Sequence, residues 1–581
     1  MATVTLTIDN QKVEIEEGAT ILDAAKKAGI DIPTLCYLED INEIGACRVC
    51  VVEVKGAKAL QAACVAPVAN GMVVSTSSPA VRSSRRLTVE LLLSNHPTDC
   101  LICPRNLNCE LQALAETMGI RQVRFEGAKS KYPVDDSTPS IIRNPEKCVL
   151  CRRCVAVCEK VQGVRAIAPI ERGFDTVIAP AFGDTLSEVA CAMCGQCSLV
   201  CPTAAIVERD DTDKVWAALA DPKKHVVVQT APATRVAIGE PFGAAPGSIV
   251  TGKMVAALRR LGFDKVFDTD FTADLTILEE GSELIERVTH GGVLPLITSC
   301  SPGWIKFIEH FYPQLLPHLS TCKSPQQMFG ALAKTYYAEK AGVNPADVFS
   351  VSIMPCTAKK FEITRPEMND SGYKDVDVVL TTRELARMIK QAGIDFENLP
   401  EEKYDDPFGI TTGAAVIFGA TGGVMEAALR TAYELITGKT LGNVNFTAVR
   451  GLEGVKEATV QVGDLPVKVA VAHGLGNARK LMDKLAKGEA DYHFIEIMCC
   501  PGGCIGGGGQ PIPTNTEIRQ QRINGIYTAD ERMALRKSHE SPAVQQLYKE
   551  FLGKPLGHKS HELLHTHYTP RGKYPKNGEK K

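Results

Sequence analysis

The chain has 581 residues, 44% of them hydrophobic, and a formal net charge of -3. That leaves room for three or more domains and offers no basic excess for nucleic acid. No apolar run reaches the roughly 20 residues of a membrane span, and the first residues lack the basic-then-apolar pattern of a secretory leader.

A cytoplasmic protein is therefore expected. In that reducing compartment 21 cysteines point to metal rather than to disulfides. Residues 3–16 alternate as a hairpin: Val4, Leu6 and Ile8, then Val13 and Ile15, about an Asp9-Asn10 turn. Thr20 caps a helix over 21–28 that Gly29 ends. Cys36, Cys47, Cys50 and Cys64 follow, with 10, 2 and 13 residues between them. This is not the plant ferredoxin spacing, and four thiolates suit zinc or an iron–sulfur cluster. A helical run over 80–94 leads to His96, Cys100, Cys103 and Cys109, a donor set open to the same two readings. Cys148-x2-Cys151-x2-Cys154-x3-Cys158 is then repeated as Cys191-x2-Cys194-x2-Cys197-x3-Cys201-Pro202. That is the two-cluster bacterial ferredoxin signature, in which the fourth cysteine of a run serves the other cluster. Cys148, Cys151, Cys154 and Cys201 are thus expected on one [4Fe–4S] cluster, and Cys191, Cys194, Cys197 and Cys158 on the second.

A charged stretch at 207–214 marks a boundary, beyond which a large α/β domain runs to about Pro513. Mostly apolar runs at 225–229, 293–297, 348–353 and 492–498 read as buried parallel strands. The first ends in Thr230-Ala231-Pro232. The others end in Thr298-Ser299-Cys300-Ser301-Pro302-Gly303-Trp304, in Met354-Pro355-Cys356, and in Met498-Cys499-Cys500-Pro501-Gly502-Gly503-Cys504. Sites in open α/β sheets form beyond the carboxyl ends of strands, so these distant cysteines are expected to converge. The glycines of 502–509 predict a backbone pressed against something bulky, such as a cluster between thiolates. Residues 247–254 nearly spell a phosphate loop, but Met254 replaces the magnesium-binding Ser/Thr and no strand leads in; a helix start is expected. No dinucleotide fingerprint is present, so a nucleotide donor would need another subunit. The last segment predicts helices over 530–537 and 543–551. His558, His561, His565 and His567 follow in a solvated tail, then a basic, disordered end from Arg571.

The three cysteine motifs resemble the signatures of [FeFe]-hydrogenases. The third is matched by Glu496, Met498, Cys500, Gly503, Cys504, Gly507, Gly508, Gly509 and Pro511. The second is matched throughout by Met354, Pro355, Cys356, Lys359 and Glu362. The first departs once: Ser301 stands where the family has its second cysteine. The resemblance implies an α+β multidomain chain. Residues 1–79 would be a β-grasp [2Fe–2S] ferredoxin-like domain, and 80–120 a helical His/Cys cluster domain. Residues 139–210 would be the two-cluster ferredoxin-like domain, 221–513 an α/β H-cluster domain of two lobes, and 514–581 a fused helical segment like the family's small subunit. It further implies a [2Fe–2S] cluster on Cys36, Cys47, Cys50 and Cys64, and a [4Fe–4S] cluster on His96, Cys100, Cys103 and Cys109. With the ferredoxin pair that makes three accessory [4Fe–4S] clusters. The H-cluster would be a [4Fe–4S] cubane joined to a diiron unit with CO, CN and dithiolate ligands. The implied reaction is 2H+ + 2e- = H2, run with ferredoxin and/or NAD(P)H-binding partner subunits. A non-catalytic iron–sulfur electron-transfer subunit or cluster carrier is the alternative; Lys359, Glu362 and the Cys300 motif favour the enzyme.

By the same resemblance Cys504 bridges the two halves of the H-cluster, and Cys356 and Cys500 hold the cubane. Lys359 would donate charge-assisted hydrogen bonds to a cyanide. Ala231, Pro232, Gln326, Met354, Phe418 and Met498 would line the diiron pocket, although Met and Phe suit an ordinary core equally. Ala233 stands where the family often has serine. The implied proton path is Cys300, Glu280, Ser320, Glu283. The two glutamates share a face if helical, with Gly281 weakening that helix and a solvated face alongside Glu279 as the plain alternative. For the missing cysteine three options stand: Ser301 ligates through oxygen, Cys300 turns inward as the ligand, or Cys322 steps in. Cys300 as proton shuttle is the preferred reading.

Overall fold

The computed structural model describes residues 2–463 and 465–573; most of the basic end, 574–581, lies outside them. Strand Thr3–Ile8 pairs antiparallel with Gln11–Glu16. Asp9 and Asn10 turn between them at φ 46 and 68, a left-handed conformation these short polar side chains tolerate. The Thr20 hydroxyl accepts from the Asp23 amide while the Asp23 carboxylate accepts from the Thr20 amide, a capping box on helix Ile21–Lys27. The expected helix after this five-stranded sheet spans Pro79–Asn95.

The large domain holds two four-stranded sheets. In the first, His225–Thr230 lies parallel to Lys265–Asp268 and to Val348–Met354, which is parallel to Val378–Thr381. In the second, Phe494–Met498 lies parallel to Leu296–Ile297 and to Leu465–His473, with Val455–Val462 as an antiparallel edge. The run expected over 293–297 contracts to two paired residues. Pro295 has no amide to give a ladder, and Val293 is exposed. The helix start near 250 is present as Thr251–Leu261. Helix Asp270–His290 runs unbroken through Gly281. Burial of Leu275, Ile277 and Leu278 outweighs the roughly 1 kcal/mol a helical glycine costs.

The boundary charges are not a loose linker. Glu208 pairs with Arg383 and Arg387, and Asp211 with the buried Lys360. They close a seam between the segment that ends at Asp211 and residues 360–387.

The C-terminal segment departs from expectation. Its first helix is Thr516–Glu531, and 532–537 is not helical. Arg536 folds back to join Arg430 on the buried Asp530 carboxylate, which turns the chain. The expected second helix is present as Pro542–Leu547 running into Tyr548–Leu552. His565 is buried rather than solvated, its Nε2 3.2 Å from Glu279. Glu279, far from a solvated face, also accepts from the Tyr548 hydroxyl at 2.6 Å, the Ser560 hydroxyl at 2.7 Å and the Leu556 amide at 2.9 Å.

Burial pushes the Glu279 carboxyl up, but the bonds from His565, Tyr548, Leu556 and Ser560 more than offset this, so it lies below its ordinary value. A depressed carboxyl adds stability above its unfolded value, lost as pH falls through the folded one. Glu279→Ala is expected to destabilise the fold at neutral pH by about 3 kcal/mol, by stranding several buried donors. Hydrogen exchange of 541–568 measures it; unchanged protection there would refute the anchoring role.

Candidate active site

The strand ends converge. The Ile497 amide donates to Thr298 Oγ1 at 3.1 Å, and the Cys499 amide to Ser301 Oγ at 3.2 Å. The Gly509 amide donates to the Pro355 carbonyl at 2.8 Å. All three cysteine motifs are thereby laced together. The glycines serve this lacing. A side chain at Gly507 would strike the Pro355 carbonyl, one at Gly508 the Cys194 carbonyl, and one at Gly503 the Thr421 amide. At these three positions the close approach is to protein backbone.

Cys356 and Cys500 are buried, Cys300 and Cys504 partly so, and all are free thiols. Cys356 has Cys500, Cys504 and Lys359 around it, and burial pushes its thiol well up. Burial likewise pushes Cys504 up to about 12. Thiols packed this way are costly to ionise without a bound cation, so the donor set suits an iron cluster.

Lys359 Nζ donates to the Cys300 carbonyl at 3.1 Å and to Glu362 Oε2 at 3.0 Å. Gln326 Nε2 and Ser324 Oγ hold the same carboxylate oxygen, each at 2.9 Å. An ammonium has three donors, and these bonds engage two of them. Gln326 Oε1 is buried with no partner among the described residues. Ala231 and Met354 pack in one apolar cluster. Phe418 and Met498 pack in another, with Cys300 and Cys504 against it. Pro232 is buried directly after Ala231.

Ser320 Oγ donates to Glu283 Oε2 at 2.9 Å. Burial, reinforced by Glu283, pushes Glu280 up to about 8, and Ser320 lies within hydrogen-bonding reach of it. Glu280 is the first charged neighbour of Cys300. Glu283 meets Arg287 at 2.6 Å, one turn along the helix. Sequence reasoning missed Arg287, although its i,i+4 spacing was the available signal. Cys322 packs with Phe329 and Leu564, 4.0 Å from Glu283, in a different apolar cluster from Cys500.

The accessory cysteines assemble in sets. One cavity is lined by Cys148, Cys151, Cys154 and Cys201, and a second by Cys158, Cys191, Cys194 and Cys197. The Cys47 amide donates to Cys36 Sγ at 3.5 Å, and Cys50 and Cys64 sulfurs lie 3.3 Å apart. His96 ends helix Pro79–Asn95, buried, with Nδ1 unpartnered among the described residues. Burial and Lys147 hold it down to about 4, which keeps the imidazole neutral, as a metal ligand must be. Cys100, Cys103 and Cys109 follow in the turn before helix Glu110–Thr117. The second ferredoxin loop grips the site directly. Thr357 Oγ1 donates to the Met193 carbonyl at 2.8 Å, Gln196 Nε2 to the Gly506 carbonyl at 2.9 Å, and Lys306 Nζ to the Cys191 carbonyl at 2.8 Å.

A thiol-lined site at the joined ends of two sheets, gripped by the loop that carries Cys191, Cys194 and Cys197, defines an iron–sulfur redox enzyme. Residues 224–508 match the iron only hydrogenase large subunit, C-terminal domain, and 516–571 the iron hydrogenase small subunit. Residues 1–79 match a 2Fe-2S iron-sulfur cluster binding domain, and 85–124 the NADH-ubiquinone oxidoreductase-G iron-sulfur binding region. The chain is 54% identical to the NADP-reducing hydrogenase subunit HndD of Solidesulfovibrio fructosivorans, over 98% of this chain and 100% of that one. It is 42% identical to iron hydrogenase 1 of Clostridium pasteurianum, over 97% and 99%. A solved variant of the [FeFe]-hydrogenase HydA1 from Chlamydomonas reinhardtii superposes with a TM-score of 0.56 at 48% identity, over 63% of this chain and 100% of that one. The chain belongs to the [FeFe]-hydrogenase large-subunit family, an iron hydrogenase that interconverts protons, electrons and H2 at an H-cluster domain. Among the described residues no helix is long and apolar enough to cross a membrane.

Proposed function

We propose that this chain is the catalytic subunit of a multisubunit, NAD(P)-linked hydrogenase. The observation that carries this is the end-to-end identity with a subunit of an NADP-reducing enzyme, in a chain without a dinucleotide fingerprint. Electrons then enter from an NAD(P)H-binding partner subunit, from ferredoxin, or from both. The cysteine sets and His96 described above would hold one [2Fe–2S] and three [4Fe–4S] accessory clusters, which would relay those electrons. A cytoplasmic setting keeps such thiols reduced. The domains divide at 1–79, 80–120, 139–210, 221–513 and 514–581. The H-cluster supplies the open iron at which hydrogen is made or split. Around it Cys356, Cys500 and Cys504 would hold iron, and Lys359 would offer a donor to a cyanide. Ala231, Pro232, Gln326, Met354, Phe418 and Met498 wall off water. Cys300, Glu280, Ser320 and Glu283 carry the proton.

Purified alone with its clusters, the chain is expected to reduce viologens with H2 but not NAD+ or NADP+. Reduction of either nucleotide by the isolated chain would overturn the partner reading. The hydrogen bonds from Thr357 and Gln196 across the seam with the 139–210 module support a last-relay role for that module. Cys197→Ala is expected to abolish carrier-dependent turnover and leave the H-cluster's CO and CN infrared bands in place. Loss of the bands would instead show that the module is needed for assembly.

A further inference from the structure

Once the accessory sets and Cys300, Cys356, Cys500 and Cys504 are placed, two cysteines remain, Cys322 and Cys499. Cys322 packs beside Glu283, on the proton side. Cys499 is buried, 2% exposed, in the same apolar cluster as Cys500. Its thiol faces those of Cys500 and Cys194. The start of helix Pro302–Phe311 is hollowed out for it: a Cβ at Gly303 would stand 2.6 Å from Cys499 Sγ. Ser301, two residues earlier, spends its hydroxyl oxygen on the Cys499 amide. The position that lost a sulfur and the position that carries an extra one are therefore hydrogen-bonded neighbours.

We propose that Cys499 supplies the fourth thiolate of the cubane, taking the place the family gives to a cysteine at position 301. The sulfur comes from the end of strand Phe494–Met498 rather than from the start of the adjoining helix. A soft thiolate suits iron–sulfur iron, and a serine alkoxide is harder and more basic. On ligation the Cys499 S–H bond breaks, an Fe–S bond forms and the proton leaves to solvent; no electron is transferred. Ser301 then fixes the main chain at 499, and Cys300 is released from any ligand duty. The new ligand also lies against Cys194, a member of the second ferredoxin set. The two clusters would meet sulfur to sulfur.

The proposal rests on the reading that the cubane sits on Cys356, Cys500 and Cys504. The test uses the full chain, reconstituted anaerobically with iron and sulfide but without the diiron unit. Iron per chain and the EPR and Mössbauer spectra are read for Cys499→Ala, Ser301→Cys and the double variant; the accessory-cluster signals report folding. Cys499→Ala is expected to lose the cubane signal or convert it to a three-iron form. Cys499→Ala with Ser301→Cys is expected to restore it, and Ser301→Cys alone to change little. A full cubane in Cys499→Ala overturns the proposal. So does a double variant that stays empty, because Cys499 would then be a packing residue. Cys356→Ala is the control on the site itself: a cubane that survives it faults the location, not the fourth ligand.

Discussion

Cys300→Ser is expected to keep the cubane's EPR signal and to lower turnover at least about a hundredfold, the scale on which a positioned proton donor acts. Cys300 lies next to the third cysteine motif, packed against the cluster that holds Phe418 and Met498. Its backbone carbonyl is fixed by Lys359. Burial pushes the Cys300 thiol well up, the Glu280 carboxyl nearby raises it further, and the Lys359 ammonium lowers it. A hydroxyl is a far weaker acid still, so serine keeps the shape and holds its proton far more tightly. If the cubane vanishes with the thiol, Cys300 is an iron ligand and the shuttle assignment fails.

Glu280→Gln is expected to lower turnover by about 10²–10⁴-fold while making the fold more stable at pH 8. The wild-type carboxyl is pushed up to about 8 by burial and by Glu283. It holds its proton at neutral pH and can pass it to Cys300. Above pH 8 it empties, so H2 evolution should fall there. A raised carboxyl contributes stability that is fully present below its unfolded value and is lost as pH rises through the folded one. Glutamine abolishes that loss. Parallel pH profiles of turnover and of thermal melting decide the matter. A variant that is inactive and also less stable at pH 8 would mark Glu280 as a structural residue.

The accessory sets were legible because ferredoxin spacing encodes its own pairing. The exchange of Cys158 and Cys201 between the two cavities follows from two short runs of sequence. Motif positions at strand ends were legible for a similar reason: parallel strands carry a recognisable apolar run. That the glycines meet the Pro355 and Cys194 carbonyls was not legible, since close approach looks the same in sequence whatever the neighbour. Glu279 and His565 were misjudged because 286 residues separate them. No local pattern tells a carboxylate that it will be met by a histidine from the far end of the chain. Cys499 was overlooked because it stands one residue ahead of a motif cysteine. Only the hydrogen bond to Ser301 ties the two departures together.

The strap over Glu279 sets an order of events during synthesis. Tyr548, Ser560 and His565 reach Glu279, and Tyr568 donates to the Ser320 carbonyl. A ribosome adds about 5–20 residues per second, so roughly 15–60 seconds pass between the emergence of Glu279 and that of His565. All the cysteines have left the ribosome before His565 arrives. For the last 61 of those residues, roughly 3–12 seconds at that rate, the nascent large domain displays all its thiols with Glu279 still uncovered. The segment that carries Tyr548, Ser560 and His565 is the closure applied to a chain that already carries all 21 of its cysteines.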